Sequence, residues 1–385
     1  MKKILCILLM VFVIFSDIRF SSKAENGNIS LHSESAVLID AKSGRVLYGK
    51  NEDKVRPMAS TTKIMSLIVA LEYGDMNQIV EVSANAQKQP EVKLGIKQGE
   101  KYYMGDLLYS MMLESHNDSA VAVGEGVAGS EEAFIGLMNK KAEEIGLEST
   151  CFRTINGLDK QDDEGIHQTT SYELALIMRY CIFESPKSQE FIKICTTKSY
   201  SFTDISETHR TSVSNKNRLL YSYPGMLEGK TGFTSGAGYC YVCAVQFGDR
   251  VFIVALLGAG WPGNKGYKWE DTNRLLKYGE KNYNNRSLVD ENYSLKPVTI
   301  LNSDTKICHT HINEGLDILI SDEDRIKIVE EYPDYIYAPR SKNREIGEIT
   351  VYINDEPVAR IKVYIDRDIT KKKTYYIKPF YDYSI

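Results

Sequence analysis

The 385-residue sequence has no excess of basic residues, no internal repeat, no low-complexity linker and few cysteines. Its 47 basic and 52 acidic side chains leave a net charge of −5, which gives no reason to expect a nucleic-acid partner. Seven cysteines in a chain of this length are too sparse for a dense disulfide framework. With 43% hydrophobic and 26% charged residues, the composition predicts a soluble globular protein of roughly two domains. It excludes a disordered, collagenous or multi-span membrane protein.

Long hydrophobic runs are missing except at the start of the chain, where Ile4–Phe15 is entirely apolar. Lys2 and Lys3 precede this run, and the small residues of Ser22-Lys23-Ala24 follow it. We expect residues 1–24 to be a secretory signal peptide, and the alternative is a short uncleaved membrane anchor. Because no second run of spanning length follows, the mature protein is expected to be secreted and to work in the extracellular or cell-wall space.

Two of the cysteines, Cys240 and Cys243, have the C-x-x-C spacing of redox and metal sites, but they lie in an apolar run that predicts a strand. Residues three apart on a strand point to opposite faces. We therefore expect buried free thiols rather than a shared metal or a redox pair.

Strand-like segments lie on both sides of a helix-rich middle. Two short runs joined by a turn precede the helices, and two β-favouring runs joined by a turn follow them. This order predicts one α+β domain whose sheet is built from both ends of the segment. The predicted strands are Ala36–Asp40, Arg45–Tyr48, Gly238–Val245 and Val251–Leu257, and the predicted helices are Pro57 to Gly74, Asp106–Leu113, Glu131–Ile145, Thr170 through Met178, and Trp269–Tyr278 ending at Gly279.

From about Asn284 onward the pattern changes. Alternating runs at Ile349–Ile353 and Ala359–Ile365 flank the turn-like Asn354–Pro357, which predicts a small all-β domain. The polar stretch Lys281–Ser287 is the expected boundary.

Ser60-Thr61-Thr62-Lys63 is the first candidate for chemistry. If a helix begins just after Pro57, Ser60 lies in its first turn and Lys63 shares its face, so the amine can reach the hydroxyl. A serine hydroxyl is a poor nucleophile until a base takes its proton. Lysine can be that base only when burial or a second cation lowers its pKa well below about 10.4.

This spelling alone is common, and Ser303–Lys306 repeats it with no role expected. The specific feature is the order of three motifs: Ser60-x-x-Lys63, then Ser115-x-Asn117, then Lys230-Thr231-Gly232, which immediately precedes a predicted strand. The trio is typical of penicillin-recognising serine enzymes.

With these motifs the sequence resembles the low-molecular-mass penicillin-binding proteins, which are serine-type D-alanyl-D-alanine carboxypeptidases. The resemblance extends to Arg56–Met65, Asn215–Leu220 and Lys230–Cys240, and it is strong over residues 30–280. It implies an α+β fold. A penicillin-recognising serine transpeptidase-like domain, an antiparallel sheet with a helical subdomain, would occupy residues 25–283, and a small all-β domain would occupy residues 284–385.

The resemblance also implies a role for each motif residue. Ser60 would attack the carbonyl of the penultimate D-alanine and form an acyl-enzyme, Lys63 would activate Ser60, and Ser115 would pass a proton to the departing D-alanine nitrogen. Water would then hydrolyse the ester, so no metal or other cofactor is expected. The implied substrate-binding residues are Asn117, which holds Lys63 and the substrate amide; Lys230, which keeps the pocket positive; Thr231, which bonds the terminal carboxylate; Gly232, which lets substrate lie along the strand edge; and Phe233, whose N–H forms the oxyanion hole with that of Ser60.

The implied partners are peptidoglycan pentapeptide stems as substrate and β-lactam antibiotics as covalent inhibitors. Two features depart from the family. His116 stands where a smaller residue is expected, and we interpret it as a side chain that packs away from the pocket rather than one that tunes its polarity. The run Lys371–Phe380 is interrupted by Pro379 and lacks a long apolar stripe, so stable peripheral anchoring is not expected there and peripheral membrane contact stays open.

Three alternative functions stay open at this level. A secreted serine β-lactamase shares the trio, but the class A type uses a glutamate, spelled with an asparagine four residues on. No glutamate between Asn117 and Lys230 has an asparagine at that offset. A D,D-endopeptidase uses the same chemistry, and a non-catalytic peptidoglycan-binding module would keep the fold without turnover.

Overall fold

The structure, a computed structural model, describes residues 29–290 and 292–373. These residues form two compact units, a larger one of residues 29–286 with 317–322 and a smaller one of residues 287–316 with 323–373. The predicted signal peptide and the part of the lysine-rich tail beyond Lys373 lie outside the described residues.

The larger unit alternates short strands with a block of helices. Its strands, in chain order, are β1 (Ser35–Asp40), β2 (Val46–Lys50), β3 (Ile79–Glu81), β4 (Lys101–Tyr103), β5 (Gln161–Asp162), β6 (Gly165–Ile166), β7 (Ser199–Thr203), β8 (Arg210–Ser214), β9 (Met226–Thr234), β10 (Gly238–Phe247) and β11 (Arg250–Leu257). Its helices are α1 (Lys63–Tyr73), α2 (Ala84–Gln87), α3 (Met104–Leu113), α4 (Asn117–Ala128), α5 (Glu131–Ile145), α6 (Ser171–Arg179), α7 (Ser188–Thr196) and α8 (Tyr267–Asn282).

The main sheet is antiparallel, with strand order β2-β1-β11-β10-β9. β1 and β2 come from before the helices and β9 to β11 from after them, which confirms the α+β domain with a sheet built from both ends. One face, with Val242 and Ile253, packs against the helical block. The other face, with Tyr241 and Val254, packs against Leu275 of α8.

The two strand cysteines follow this alternation. Cys240 belongs to the core on the helical side, and Cys243 belongs to the core under α8. Both are fully buried free thiols, as predicted.

Polar side chains begin several helices where the sequence predicts them. The Ser130 and Thr170 hydroxyls accept hydrogen bonds from the third backbone N–H of α5 and α6. The predicted end of α8 at Gly279 is wrong, because the helix continues to Asn282. Gly279 is a buried contact instead: a Cβ there would lie 3.0 Å from both Leu38 and Phe252, so a larger residue would push α8 off the sheet.

The smaller unit is all β within the described residues, as predicted. The strands of the C-terminal part of the chain are β12 (Asn284–Val289), β13 (Val298–Leu301), β14 (Ile307–Cys308), β15 (Thr310–Ile312), β16 (Leu316–Ile320), β17 (Ile326–Glu331), β18 (Tyr335–Tyr337), β19 (Glu345–Ile353) and β20 (Glu356–Ile365). Most of β16 and the first half of β12 belong to residues of the larger unit. One sheet of the smaller unit has the order β15-β20-β19-β17 and another the order β14-β13-β18. The predicted hairpin around Asn354 is present, and Asn354 and Asp355 both have positive φ angles, which suit a tight two-residue turn.

Across the described ranges of both units, no helix combines the length and the apolarity that crossing a bilayer requires.

Candidate active site

The predicted nucleophile lies in a 3₁₀ turn, Ala59–Thr62, that leads directly into α1. The α-helix itself begins at Lys63, later than the predicted start after Pro57. The hydroxyls of Thr61 and Thr62 donate to the carbonyls of Met58 and Ala59, which favours the tighter turn. Ser60 is only half-buried, so its hydroxyl is open on one side.

The Lys63 amine is fully buried and has three polar neighbours. Its Nζ lies 3.0 Å from Ser60 Oγ, 2.8 Å from Asn117 Oδ1 and 2.5 Å from the carbonyl oxygen of Asn156. A neutral amine has two N–H donors and one lone pair. Because the two carbonyl oxygens can only accept, they take both N–H groups and leave the lone pair directed at the Ser60 hydroxyl. This is the geometry that a general base requires.

Electrostatics favours the same protonation state. Burial lowers the pKa of Lys63 well below its usual value, and the positive charge of Lys230 lowers it further. The carboxylate of Asp118 acts in the opposite direction. The larger contributions favour the neutral amine, which is the form that can accept a proton.

The second motif lies in the connection between α3 and α4. Ser115 has a positive φ of 68°, and its hydroxyl oxygen accepts a hydrogen bond from Lys230 Nζ at 2.9 Å. Asn117 begins α4, accepts from Lys63 through Oδ1 and donates through Nδ2 to the Pro90 carbonyl at 3.1 Å. The second motif therefore contacts both lysines, Lys230 through Ser115 and Lys63 through Asn117.

The third motif lies inside β9, a strand that the sequence does not predict, and the strand predicted to follow it is β10. The sequence does not predict this strand, because Thr231 is the only residue of the motif with high β-propensity. β9 is the outermost strand of the main sheet, so its free edge is available to pair with an extended ligand. A Cβ on Gly232 would lie 2.8 Å from the Ser60 nitrogen, so glycine permits the approach of β9 to the nucleophile turn.

Lys230, Thr231 and Phe233 differ in exposure along this strand. Lys230 is 3% exposed, and burial lowers its pKa to about 8. Thr231 is half-buried, and its carbonyl accepts from Lys230 Nζ at 2.9 Å. Phe233 is 41% exposed, with its ring centroid 4.7 Å from that of Tyr239. The structure thus brings the residues of the three motifs to one place.

His116 is buried and turned into the protein. Its Nδ1 lies 2.8 Å from Ser110 Oγ, and its Nε2 lies 3.6 Å from a carboxylate oxygen of Glu114. Burial lowers its pKa below the usual value. The interpretation of His116 as a packed side chain is confirmed.

Two residues that contribute to the site are not predicted from the sequence motifs. Asn156 acts through its backbone carbonyl, and a backbone group leaves no signature in residue identity; the turn-forming Asn156-Gly157 pair is the only hint. Asp118 is fully buried and accepts N–H groups of Leu94, Gly95 and Ile96 at 2.9, 2.7 and 3.3 Å. It fastens the loop whose Pro90 holds Asn117.

The assembled groups suit acyl transfer through a serine ester. They provide a hydroxyl beside a buried amine, a second hydroxyl beside a cation, and an open strand edge. Among the described residues, no group of three or more His, Cys, Asp or Glu side chains is arranged to hold a metal ion.

The chain matches two family models. The model of the D-alanyl-D-alanine carboxypeptidases matches residues 21–260, and the model of the C-terminal domain of penicillin-binding protein 5 matches residues 283–371.

Individual relatives agree with this match. D-alanyl-D-alanine carboxypeptidase DacF of Bacillus subtilis is 28% identical over 383 residues, which cover 96% of this chain and 95% of DacF. Penicillin binding protein 5 from Haemophilus influenzae has a similar fold, with a TM-score of 0.73 at 24% identity over 89% of this chain and 99% of that one. Penicillin-binding protein D2 from Listeria monocytogenes, solved in an ampicillin-bound form, has a TM-score of 0.56 at 26% identity over 66% of this chain and 98% of that one.

Proposed function

The chain belongs to the D-alanyl-D-alanine carboxypeptidase family, and we propose that Ser60 is the nucleophile with which this serine hydrolase removes the terminal D-alanine from peptidoglycan pentapeptide stems. It is a low-molecular-mass penicillin-binding protein. The observation that carries the assignment of Ser60 is the 3.0 Å approach of Lys63 Nζ, whose two other contacts are both acceptors.

Acylation requires three proton transfers. Ser60 Oγ attacks the carbonyl carbon of the penultimate D-alanine while Lys63 takes the hydroxyl proton. The carbonyl oxygen becomes an oxyanion, which the backbone N–H groups of Ser60 and Phe233 stabilise. When the C–N bond breaks, Ser115 gives its proton to the departing D-alanine nitrogen, and the proton that Lys63 took from Ser60 replaces it, which leaves Lys63 neutral again. Water then cleaves the ester and returns Ser60 to its starting state.

Recognition of the substrate rests on β9 and the second motif. Lys230 attracts the terminal carboxylate and Thr231 hydrogen-bonds it. The peptide lies along the free edge of β9, which the missing side chain of Gly232 allows to approach Ser60. Asn117 positions Lys63 and reaches the substrate amide after its Nδ2 leaves the Pro90 carbonyl.

The parts of the chain divide the work. Residues 25–283 are the catalytic domain and residues 284–385 a β-rich C-terminal domain. Residues 1–24 are a signal peptide that directs the protein across the cytoplasmic membrane, which its cell-wall substrate requires. Contact with the membrane is at most peripheral.

A labelled penicillin and a defined muramyl pentapeptide test the assignment together. The wild-type chain should form a long-lived adduct at Ser60 and release D-alanine, detected by mass spectrometry of the product. Ser60→Ala should abolish both. Ser303→Ala is the matched control, because Ser303 begins the same four-residue spelling in the smaller unit and bonds the Thr370 carbonyl instead. An adduct on Ser60→Ala contradicts the assignment.

The same assay separates the rival functions. Rapid hydrolysis of the drug identifies a β-lactamase, and cleavage of cross-linked dimers in preference to pentapeptides identifies an endopeptidase. Absence of both adduct and product identifies a binding module.

A further inference from the structure

A buried acidic residue, Glu228, lies on the strand that carries the third motif. Glu228 is in β9, two residues before Lys230, and residues two apart on a strand point to the same face. Glu228 is 1% exposed and Lys230 is 3% exposed, in a row of buried positions that continues to Gly232 beside the nucleophile turn. A carboxyl group is almost never buried to this extent without a purpose or a partner.

The surroundings of Glu228 are nearly all neutral. The buried Cys195 thiol of α7 and the buried Cys181 thiol, which follows α6, both lie close enough to interact with it electrostatically. The charge of Glu228 also raises the pKa of Tyr241 and of Cys243 in β10. One carboxyl oxygen, Oε2, is buried and has no hydrogen-bond partner.

Lys230 and Glu228 each shift the pKa of the other. Burial raises the pKa of Glu228 to about 7, and Lys230 opposes that rise. Burial lowers the pKa of Lys230 to about 8, and Glu228 opposes that fall. On the other side of Lys230, Lys63 is the nearby titratable group of α1, and Asp118 of α4 faces Lys63.

We propose that Glu228 is a positioning residue that acts through Lys230: its buried carboxylate keeps Lys230 cationic in alkaline solution and thereby sets the alkaline limit of the reaction. This role rests on the proposed function of Lys230 in binding the carboxylate of the substrate. A carboxylate two residues away on the same face of a rigid strand is well placed for it, because the sheet fixes the separation of the two charges.

The consequence depends on pH in a specific way. Below about pH 7 Glu228 is largely protonated and neutral, so it contributes little charge. Above that pH it ionises, just as Lys230 approaches its own deprotonation. If Lys230 loses its proton, the pocket loses the cation that binds the carboxylate, and Lys63 loses the neighbour that favours its neutral form. Both effects slow acylation.

Glu228→Gln is the direct test, because glutamine copies the shape of the protonated acid. The measurement is the second-order rate of acylation by a labelled penicillin, which also carries a carboxylate, between pH 5.5 and 9.5. At pH 6 the variant should match the wild type within about twofold. At pH 8.5 it should be slower by about five- to tenfold, with the alkaline limb displaced by about one pH unit to lower pH. Glu228→Asp should recover part of the displacement.

Glu173→Gln is the matched control. Glu173 is another buried carboxylate, 8% exposed, but it bonds Glu148, Ser149 and Thr150 rather than the site. It should leave the shape of the profile unchanged.

Two results would overturn the role of Glu228. One is a rate reduced by the same factor at every pH together with a lower melting temperature, which is what a packing role gives. The other is a Glu228→Gln profile that superimposes on the wild type. A wild-type protein that is acylated but releases no D-alanine overturns the proposed carboxypeptidase activity instead, because acylation does not depend on turnover.

Discussion

The position that a Cβ would take on Gly232 lies 2.8 Å from the backbone nitrogen of Ser60, so β9 and the nucleophile turn approach each other only because residue 232 has no side chain. The same Cβ would be 3.0 Å from Ala59 and 3.1 Å from the nitrogen of Thr61. Three contacts this short leave no direction in which a methyl group fits.

Gly232→Ala should therefore separate β9 from Ser60. A displacement of about 1 Å in a reacting geometry slows a reaction by about 100-fold, and we expect that loss in the rate of penicillin acylation. Gly136→Ala is the control, since a Cβ on Gly136 in α5 meets nothing within 4 Å and should leave the rate unchanged. A normal rate for Gly232→Ala would contradict this account of the approach.

The rate of D-alanine release should have a bell-shaped dependence on pH. It rises as the amine of Lys63, whose pKa lies well below the usual value, loses its proton, and it falls as Lys230 loses its own near pH 8. The measurement is kcat/KM between pH 5 and 10. A rate that still rises at pH 9.5 would show that Lys230 does not need its charge.

Asp118→Asn should loosen the loop before α4 and move the acidic limb of the bell. The carboxylate accepts from three backbone N–H groups of that loop and from the N–H of Ser119, and an amide repels at least one of them, which costs about 2 kcal/mol of unfolding free energy. Because Asp118 raises the pKa of Lys63, its loss shifts the acidic limb to lower pH.

Thermal unfolding and the pH profile together check that prediction. Asp106→Asn is the comparison, since Asp106 also lies in the first turn of a helix but binds a single partner, Tyr200. An equal loss of stability in both variants, with no shift of the limb, would count against the loop-fastening role.

His167 should make the fold sensitive to acid. It is 1% exposed, its Nδ1 accepts from the Arg153 N–H at 3.0 Å, and its Nε2–H therefore donates to Thr62 Oγ1 at 2.8 Å. Burial lowers its pKa to about 4, so between pH 6.5 and pH 4 only the unfolded chain binds the proton. The free energy of unfolding should fall as pH falls, by about 3 kcal/mol at full effect.

Denaturant unfolding at pH 7, 5.5 and 4.5 measures this slope. His167→Gln should be less stable than the wild type at pH 7, but its free energy of unfolding should change less with pH. His309→Gln, at an exposed position, should keep the wild-type slope. If His167→Gln keeps it too, the acid sensitivity belongs to other groups.

The sequence predicts the site better than it predicts the elements that carry it. The sequence singles out Ser60, Lys63, Ser115, Asn117 and Lys230, which the structure brings together, because their side-chain types and their order can be recognised from residue identity. The sequence does not predict β9 as a strand, because its charged residues Glu228 and Lys230 and its two glycines have low β-propensity. Their extended conformation results from pairing with β10.

Other features are invisible for physical reasons. The carbonyl of Asn156 belongs to the backbone, so any residue type there would offer it. The continuation of α8 past Gly279 depends on the closeness of Leu38 and Phe252, which tertiary packing sets and local propensity cannot report. Glu228 resembles a solvated acid until its burial is known.

The strand order β2-β1-β11-β10-β9 has a consequence for biogenesis. The amino-terminal hairpin can find its place only after residues near 257 have been synthesised, so folding waits on contacts between remote parts of the chain. A nascent or truncated polypeptide that stops before Met226 contains the reactive serine without the strand that accompanies it. Such fragments lack Lys230 and its strand edge, so we expect hydrolytic competence only after β9 has been synthesised and has joined the sheet.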